Sequence, residues 1–351
     1  MKIFHKYLIK RSLFISLFVL ILFVLLDMVF SLMSELENIS DEYNFIAILK
    51  YIVFSSPQNA INFLEGACLL GVMISLGISH QEGNLNVLRS SGQSPIKIII
   101  TSAIGPMLIV FLYLFANEYY FNDINAGAKL ERAIKVGKTK TKDNAMKNDW
   151  LKDSNSFLSY TNLSNSTIYN VKFIKTDDSQ VLYYKTAYSA QVEEGRLIFD
   201  ETLKTHTYKN NTIINNVERF DFPLVAKIPY KNIEDLSIYE ITKTKKVLSE
   251  SNIIEDRLFL SHIDKSYYKK LFQPFSILSV IIFFGAFIFG SLRSASPASR
   301  IVLSVVGAFL YKIIQDFSIS LAIATNFSVF IGVIAPAVFL SLASLFLYKR
   351  I

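Results

Sequence analysis

Long apolar runs separated by short polar breaks occupy both ends of this chain, while the middle alternates apolar and polar residues one by one. A helix rising 1.5 Å per residue needs about 20 apolar residues to cross ~30 Å of hydrocarbon. Six runs reach that length, at 13–33, 58–79, 96–116, 271–290, 301–321 and 327–348. Pro57, just ahead of the second run, suits a first helical turn. The first run is too long, and too closely followed by others, for a cleaved signal peptide.

After the third run the period changes. In STIYNVKFIKT, Tyr169, Val171 and Phe173 alternate with Asn170 and Lys172, the spacing of a half-buried strand. VLYYKTAYSAQV, GRLIFDET and THTYKNNTIINN repeat the theme between turn-forming residues. The predicted architecture is an α-helical membrane protein with six transmembrane helices and an all-β domain inserted between helices three and four. The divisions fall at 1–121, 122–265 and 266–351. The Lys-rich stretch 126–147 reads as a helical extension or linker, and 231–262 as a connector back to the fourth span.

Charge adds orientation. The 351 residues carry 36 Lys and Arg against 29 Asp and Glu, and much of the excess flanks apolar runs. Lys2, Lys6, Lys10 and Arg11 precede the first run, Arg89 and Lys97 lie between the second and third, and Arg293 and Arg300 between the fourth and fifth. Lys349 and Arg350 end the chain, whereas the opposite side has Lys50 against Glu35, Glu37, Asp41 and Glu42. Both termini and the 79–95 segment are therefore expected in the cytoplasm, with the β domain on the far side. This distribution explains the basic balance better than nucleic-acid binding does, since no nucleic-acid motif is present. The single cysteine, Cys68, excludes a disulfide within the chain.

Catalytic signatures are missing. There is no phosphate-cradling Gly-rich loop and no nucleophile elbow, and His5, His80, His206 and His262 are scattered. No cofactor is expected. A transporter, a receptor or a scaffold fits six spans plus a β domain. A membrane sensor or adhesion protein would need a cytoplasmic signalling domain, and the cytoplasmic parts are short. A membrane-embedded hydrolase would need a polar cluster, and Asp27, Glu65 and Asp316 are the acids within the runs. In SHQEGNLNVLRSSGQSP, Leu85, Val87 and Leu88 form a narrow apolar stripe at helical spacing, closed by Gly92 and Pro95. It reads either as a plain connector on the bilayer or as a docking helix.

Several stretches resemble the LptF/LptG lipopolysaccharide-export permease family. The run from Leu271 is similar to that family's fourth and fifth spans, most specifically Phe289-Gly290-Ser291-Leu292-Arg293-Ser294 and Arg300-Ile301. Leu85, Val87, Leu88, Arg89, Ser91 and Gly92 match its short cytoplasmic helix; Gly71, Leu76 and Gly77 match the span before it. Asn117-Glu118-Tyr119, Asp149-Trp150-Leu151-Lys152-Asp153 and Pro336 also fall in place, and the LptG branch fits better than the LptF branch. The resemblance implies an inner-membrane permease subunit with a periplasmic, jellyroll-like β domain. Its partners would be an LptF-like subunit, two copies of an LptB-like ATPase and an LptC-like protein. Together they would extract lipopolysaccharide and pass it to a periplasmic bridge toward the outer membrane. A coupling helix near 80–93 would present Asn84, Leu85, Val87, Leu88, Arg89 and Gly92 to the ATPase.

Departures from the family pattern mark further residues. Gly83-Asn84 replaces the family's Ser-Glu, and Glu82 lies two residues earlier, about 200° round a helix. Glu65 stands where Pro is common; it either reaches water at the outer end or faces a transport cavity. Lys312 and Asp316, four residues apart, are expected to pair locally, with Gln315 beside them, on a face turned into the bundle. Asp27 raises the same question in the first span. Family lysines that meet lipid phosphates have no counterpart at 31–37. Either Lys129, Arg132, Lys135 and Lys138 serve instead, or they form a solvated linker and the cargo is less anionic.

Overall fold

The computed structural model describes residues 2–140, 149–153, 156–160, 162–164, 167–177, 180–193, 196–199, 203–207, 219–221, 236–250, 257–289 and 297–350. The helices are α1 (Lys2–Leu36), α2 (Phe45–Asn59), α3 (Leu64–Gln81), α4 (Asn84–Ser90), α5 (Pro95–Ala116), α6 (Asn122–Lys140), α7 (Ile238–Glu250), α8 (Arg257–Phe289), α9 (Pro297–Ala324) and α10 (Val329–Arg350). Two compact units result: Met1–Ile39 with Phe45–Ala128 and Asp264–Ile351, and Ser40–Asn44 with Lys129–Ile263.

In the first unit, six helices among the described residues are long and apolar enough to cross a membrane. Phe18, Phe30, Leu112, Phe317 and Phe339 point outward, as suits helices whose surroundings are lipid rather than water. Leu69, Val72, Leu76, Ile99, Val280 and Ile281 form the interior. Small residues allow the tightest crossing. A Cβ on Gly71 of α3 would lie 1.9 Å from Ser16 Oγ and 2.6 Å from Ser16 Cα of α1, so only glycine fits.

The second span differs from the sequence expectation. Pro57 lies in the last turn of α2, not the first turn of a span, and a tight turn at Ala60–Asn62 separates α2 from α3. Proline is tolerated there because Ser56 Oγ donates to Val53 O, the carbonyl that the missing Pro57 N–H would have served. α2 itself was not expected. Ile48 and Ile52, one turn apart, are buried, while Ile46 and Val53 are exposed. The fourth span is also longer than its apolar run, because α8 begins at Arg257. Beyond α5, a π-helical turn at Asn117–Phe121 leads into α6, at the Asn-Glu-Tyr match. Such turns are rare and concentrate at functional places.

The second unit contains one antiparallel sheet. Its strands are β1 (Asp149–Asp153), β2 (Ser156–Tyr160), β3 (Asn162–Ser164), β4 (Thr167–Asp177), β5 (Gln180–Glu193), β6 (Arg196–Phe199), β7 (Lys204–Thr207) and β8 (Arg219–Asp221). They run β1-β2-β4-β5-β6-β8, with β3 on β4 and β7 on β5. Val171 sits opposite Ala187, and Phe173 opposite Lys185. Leu158, Ile168, Val171, Phe173, Leu197 and Phe199 make the core, and Asn170 and Lys172 face out, the predicted alternation. The 231–262 connector contains α7. Ser237 and Glu240 cap it reciprocally: Ser237 N–H donates to Glu240 Oε2 at 2.8 Å, and Glu240 N–H to Ser237 Oγ at 3.1 Å.

Candidate functional site

Polar side chains gather at both ends of α3. At its C-terminal end, Glu82 caps the helix, Gly83 takes φ 77°, and α4 starts at Asn84. A left-handed residue here favours glycine, and it breaks the helix between 82 and 84. The 200° separation expected of a continuous helix therefore does not hold. Instead the Asn84 amide turns back and donates to Glu82 Oε2 at 2.9 Å.

Three further donors reach the same carboxylate from α1. Arg11 grips it with Nη1 at 2.5 Å and Nη2 at 2.7 Å, and Tyr7 OH donates at 2.8 Å. Tyr7 and Arg11 are one turn apart, and Arg11 also donates to the Tyr7 hydroxyl. Ser79 Oγ stands 3.5 Å from Arg11 Nη1.

The apolar stripe of α4 splits. Leu85 and Leu88 are 0% and 3% exposed and belong to the helical core, whereas Val87 is 52% exposed. Leu85 and Leu88 thus anchor α4 to its own chain; Asn86, Val87 and Ser90 form its outward side. Arg89 lies over the Phe289 ring at 5.9 Å. Gly92, at φ 82°, closes α4, and Gln93 N–H donates to Leu88 O. Nearby, the buried Arg300 donates to Gly77 O at 2.9 Å, tying the start of α9 to α3.

At the N-terminal end of α3 the structure gathers four of the sequence candidates and leaves one apart. Glu65 lies in the first turn of α3, and the charges that act on it are those of Lys312, Lys269 and Asp316. Its Oε1 is buried and accepts no hydrogen bond among the described residues. The expected Lys312–Asp316 pair does not form. Asp316 pairs with Lys269 of α8 at 3.0 Å, because a cation on a facing helix reaches the carboxylate head-on. Lys312 makes no ion pair among the described residues. Gln315 is buried, with its amide 3.4 Å from Ser276 Oγ, and Gln273 of α8 donates to Ile61 O at 3.3 Å. Asp27 stands apart from this group and accepts from the Asn59 amide at 3.2 Å.

Sequence reasoning missed Tyr7, Lys269 and Gln273, and it treated Arg11 as a topology marker and Glu82 as a failed substitute. The Tyr7/Arg11 spacing was a usable signal; Lys269 was hidden because α8 outruns its apolar core. The Gly290–Ser294 part of the most specific matching stretch lies outside the described residues. In the Lys-rich stretch, Lys135 pairs with Glu131 one turn away at 2.8 Å; the Lys138 side chain lies outside the described residues.

A family model described as the lipopolysaccharide export system permease LptF/LptG matches residues 6–350. The permease protein LptG of Haemophilus influenzae is 23% identical over 290 residues, covering 80% of this chain and 79% of that protein. LptG of Escherichia coli K12 is 23% identical over 325 residues, 88% of this chain and 87% of its own.

Proposed function

This chain belongs to the LptF/LptG permease family of the lipopolysaccharide export system, and from that premise we propose that it is the LptG-type subunit of an ABC-type exporter. It is a multi-pass inner-membrane transporter component. In this reading it pairs with an LptF-like subunit, two LptB-like ATPases drive it from the cytoplasm, and an LptC-like protein receives lipopolysaccharide on the periplasmic side. The termini and α4 then face the cytoplasm and the β domain the periplasm, in keeping with the Lys and Arg distribution. The LptG assignment is supported by the names of both relatives.

The observation that carries the reading is α4: a short helix between two spans, anchored by Leu85 and Leu88, with Val87 exposed. Its outer side is where an ATPase would dock, and Asn84, Arg89 and Gly92 set the shape of the elbow. Glu65, Lys312, Gln315 and Asp316 contribute a polar wall to the lipid cavity, and Asp27 a second polar point on α1. Charged groups within membrane spans are costly and are kept where they face a cavity or each other. Pulling an acyl chain from the bilayer costs about 0.8 kcal/mol per CH₂, so the cycle needs ATP. The β domain then takes the acyl chains.

Co-purification tests this. The chain should bring down a P-loop ATPase and a sibling permease, and Val87→Asp should cut ATPase recovery about tenfold. A chain that purifies alone, or an undiminished complex with Val87→Asp, overturns the proposal.

A further inference from the structure

We infer that Glu82 is a positioning residue that locks the foot of α1 to α4, so that motion delivered to α4 is carried into the first span. The inference rests on the reading of α4 as the ATPase-facing helix. α4 hangs from α3 by Gly83 at φ 77°. A glycine elbow alone would let a seven-residue helix swing without moving any span. Leu85 and Leu88 limit that freedom by packing α4 on the core, and Glu82 fixes its direction relative to α1. It stands at the elbow itself, and its carboxylate takes Arg11 Nη1 and Nη2, Tyr7 OH and Asn84 Nδ2, all within 2.9 Å. Two of the residues gripping it belong to α1, and one is the first residue of α4. A two-pronged guanidinium fixes direction as well as distance.

Stability is not what this joint provides. The Glu82 side chain is 43% exposed, and an ion pair that open to solvent adds little. Its contribution is geometric. Leu8 on α1 and Leu85 and Leu88 on α4 belong to one continuous apolar core, which seats the two helices below the clamp. The Asn84 amide is engaged with Glu82. Asn84 is therefore turned toward the joint and serves it.

The test uses the full complex with its ATPase, reconstituted in lipid vesicles carrying lipopolysaccharide. Glu82→Gln, Arg11→Met and the charge-swapped pair Arg11→Glu with Glu82→Arg are compared with the native chain. ATPase recovery, ATP hydrolysis and thermal midpoint should stay near native values in Glu82→Gln. Lipid released per ATP should fall about tenfold in both single variants and recover in the swap. A native ratio in Glu82→Gln, or a swap no better than the single variants, overturns the inference. Failure of the docking reading shows separately, as ATPase retained by Val87→Asp.

Discussion

α3 carries a carboxylate at each end, and the two are treated oppositely. Glu82 is held by four hydrogen bonds from three side chains. Glu65 has a buried oxygen with no hydrogen bond among the described residues, amid charges that belong to other spans. A satisfied carboxylate fixes structure, because moving it breaks several charge-assisted bonds at once. A buried oxygen left without a hydrogen bond is a standing cost. In the proposed reading the difference separates a joint from a cavity wall along a single rod.

That contrast requires α3 to be rigidly seated against α1. The largest effect should therefore come from Gly71→Val, which forces a side chain into Ser16. Overpacking of this kind costs about 3 kcal/mol, and here it separates the spans themselves. Thermal unfolding in detergent should fall sharply and both ends should lose function together. A fully active Gly71→Val chain would mean that α3 and α1 move independently.

Next come the two lysines near Glu65, whose substitutions should differ in sign. Lys269→Met strands Asp316 and should destabilise by about 1–2 kcal/mol. Lys312→Met removes an intramembrane cation that makes no ion pair among the described residues, so stability should hold or rise. Lipid extraction should still fall, because in the proposed reading that cation meets an acidic group of the lipid. Equal losses of stability from both variants would place Lys312 in the framework instead. Arg11→Met should cost about 1 kcal/mol or less, since its pair with Glu82 is partly solvated.

Much of this was legible in the sequence, for physical reasons that differ by region. A transmembrane helix must be apolar along its whole length, so six runs announced six spans. The strands of the β domain showed through Val171 and Phe173, since one face is buried and the other wet. α2 was illegible: at 15 residues, with Lys50 inside, it is too short and too polar to read as a span. The Ser237/Glu240 cap was readable as a pattern and was passed over. The Glu82 joint depends on contacts between residues 71 and 75 positions apart, which no local pattern encodes. Helical spacing even argued against it, because the spacing assumes a helix that Gly83 interrupts. Likewise the i,i+4 rule joined Lys312 to Asp316, and a facing helix supplied the better cation.

The smallest and most discriminating change is Glu65→Gln. It keeps the shape and removes the ability to ionise. If the carboxylate were a structural anchor like Glu82, the change should lower the thermal midpoint. If its Oε1 is an unmet acceptor, replacing the buried acid should leave stability unchanged or raise it by up to about 1 kcal/mol. Lys312 would then have no ionisable acid at position 65 to compete for it and should hold an anionic lipid more tightly. Lipopolysaccharide should stay bound longer and leave more slowly, while ATP hydrolysis continues. Photo-crosslinking of lipid near position 312 and the rate of lipid release should therefore move in opposite directions. A Glu65→Gln chain that is less stable, with lipid retention unaltered, would make the two ends of α3 alike and end the distinction between them.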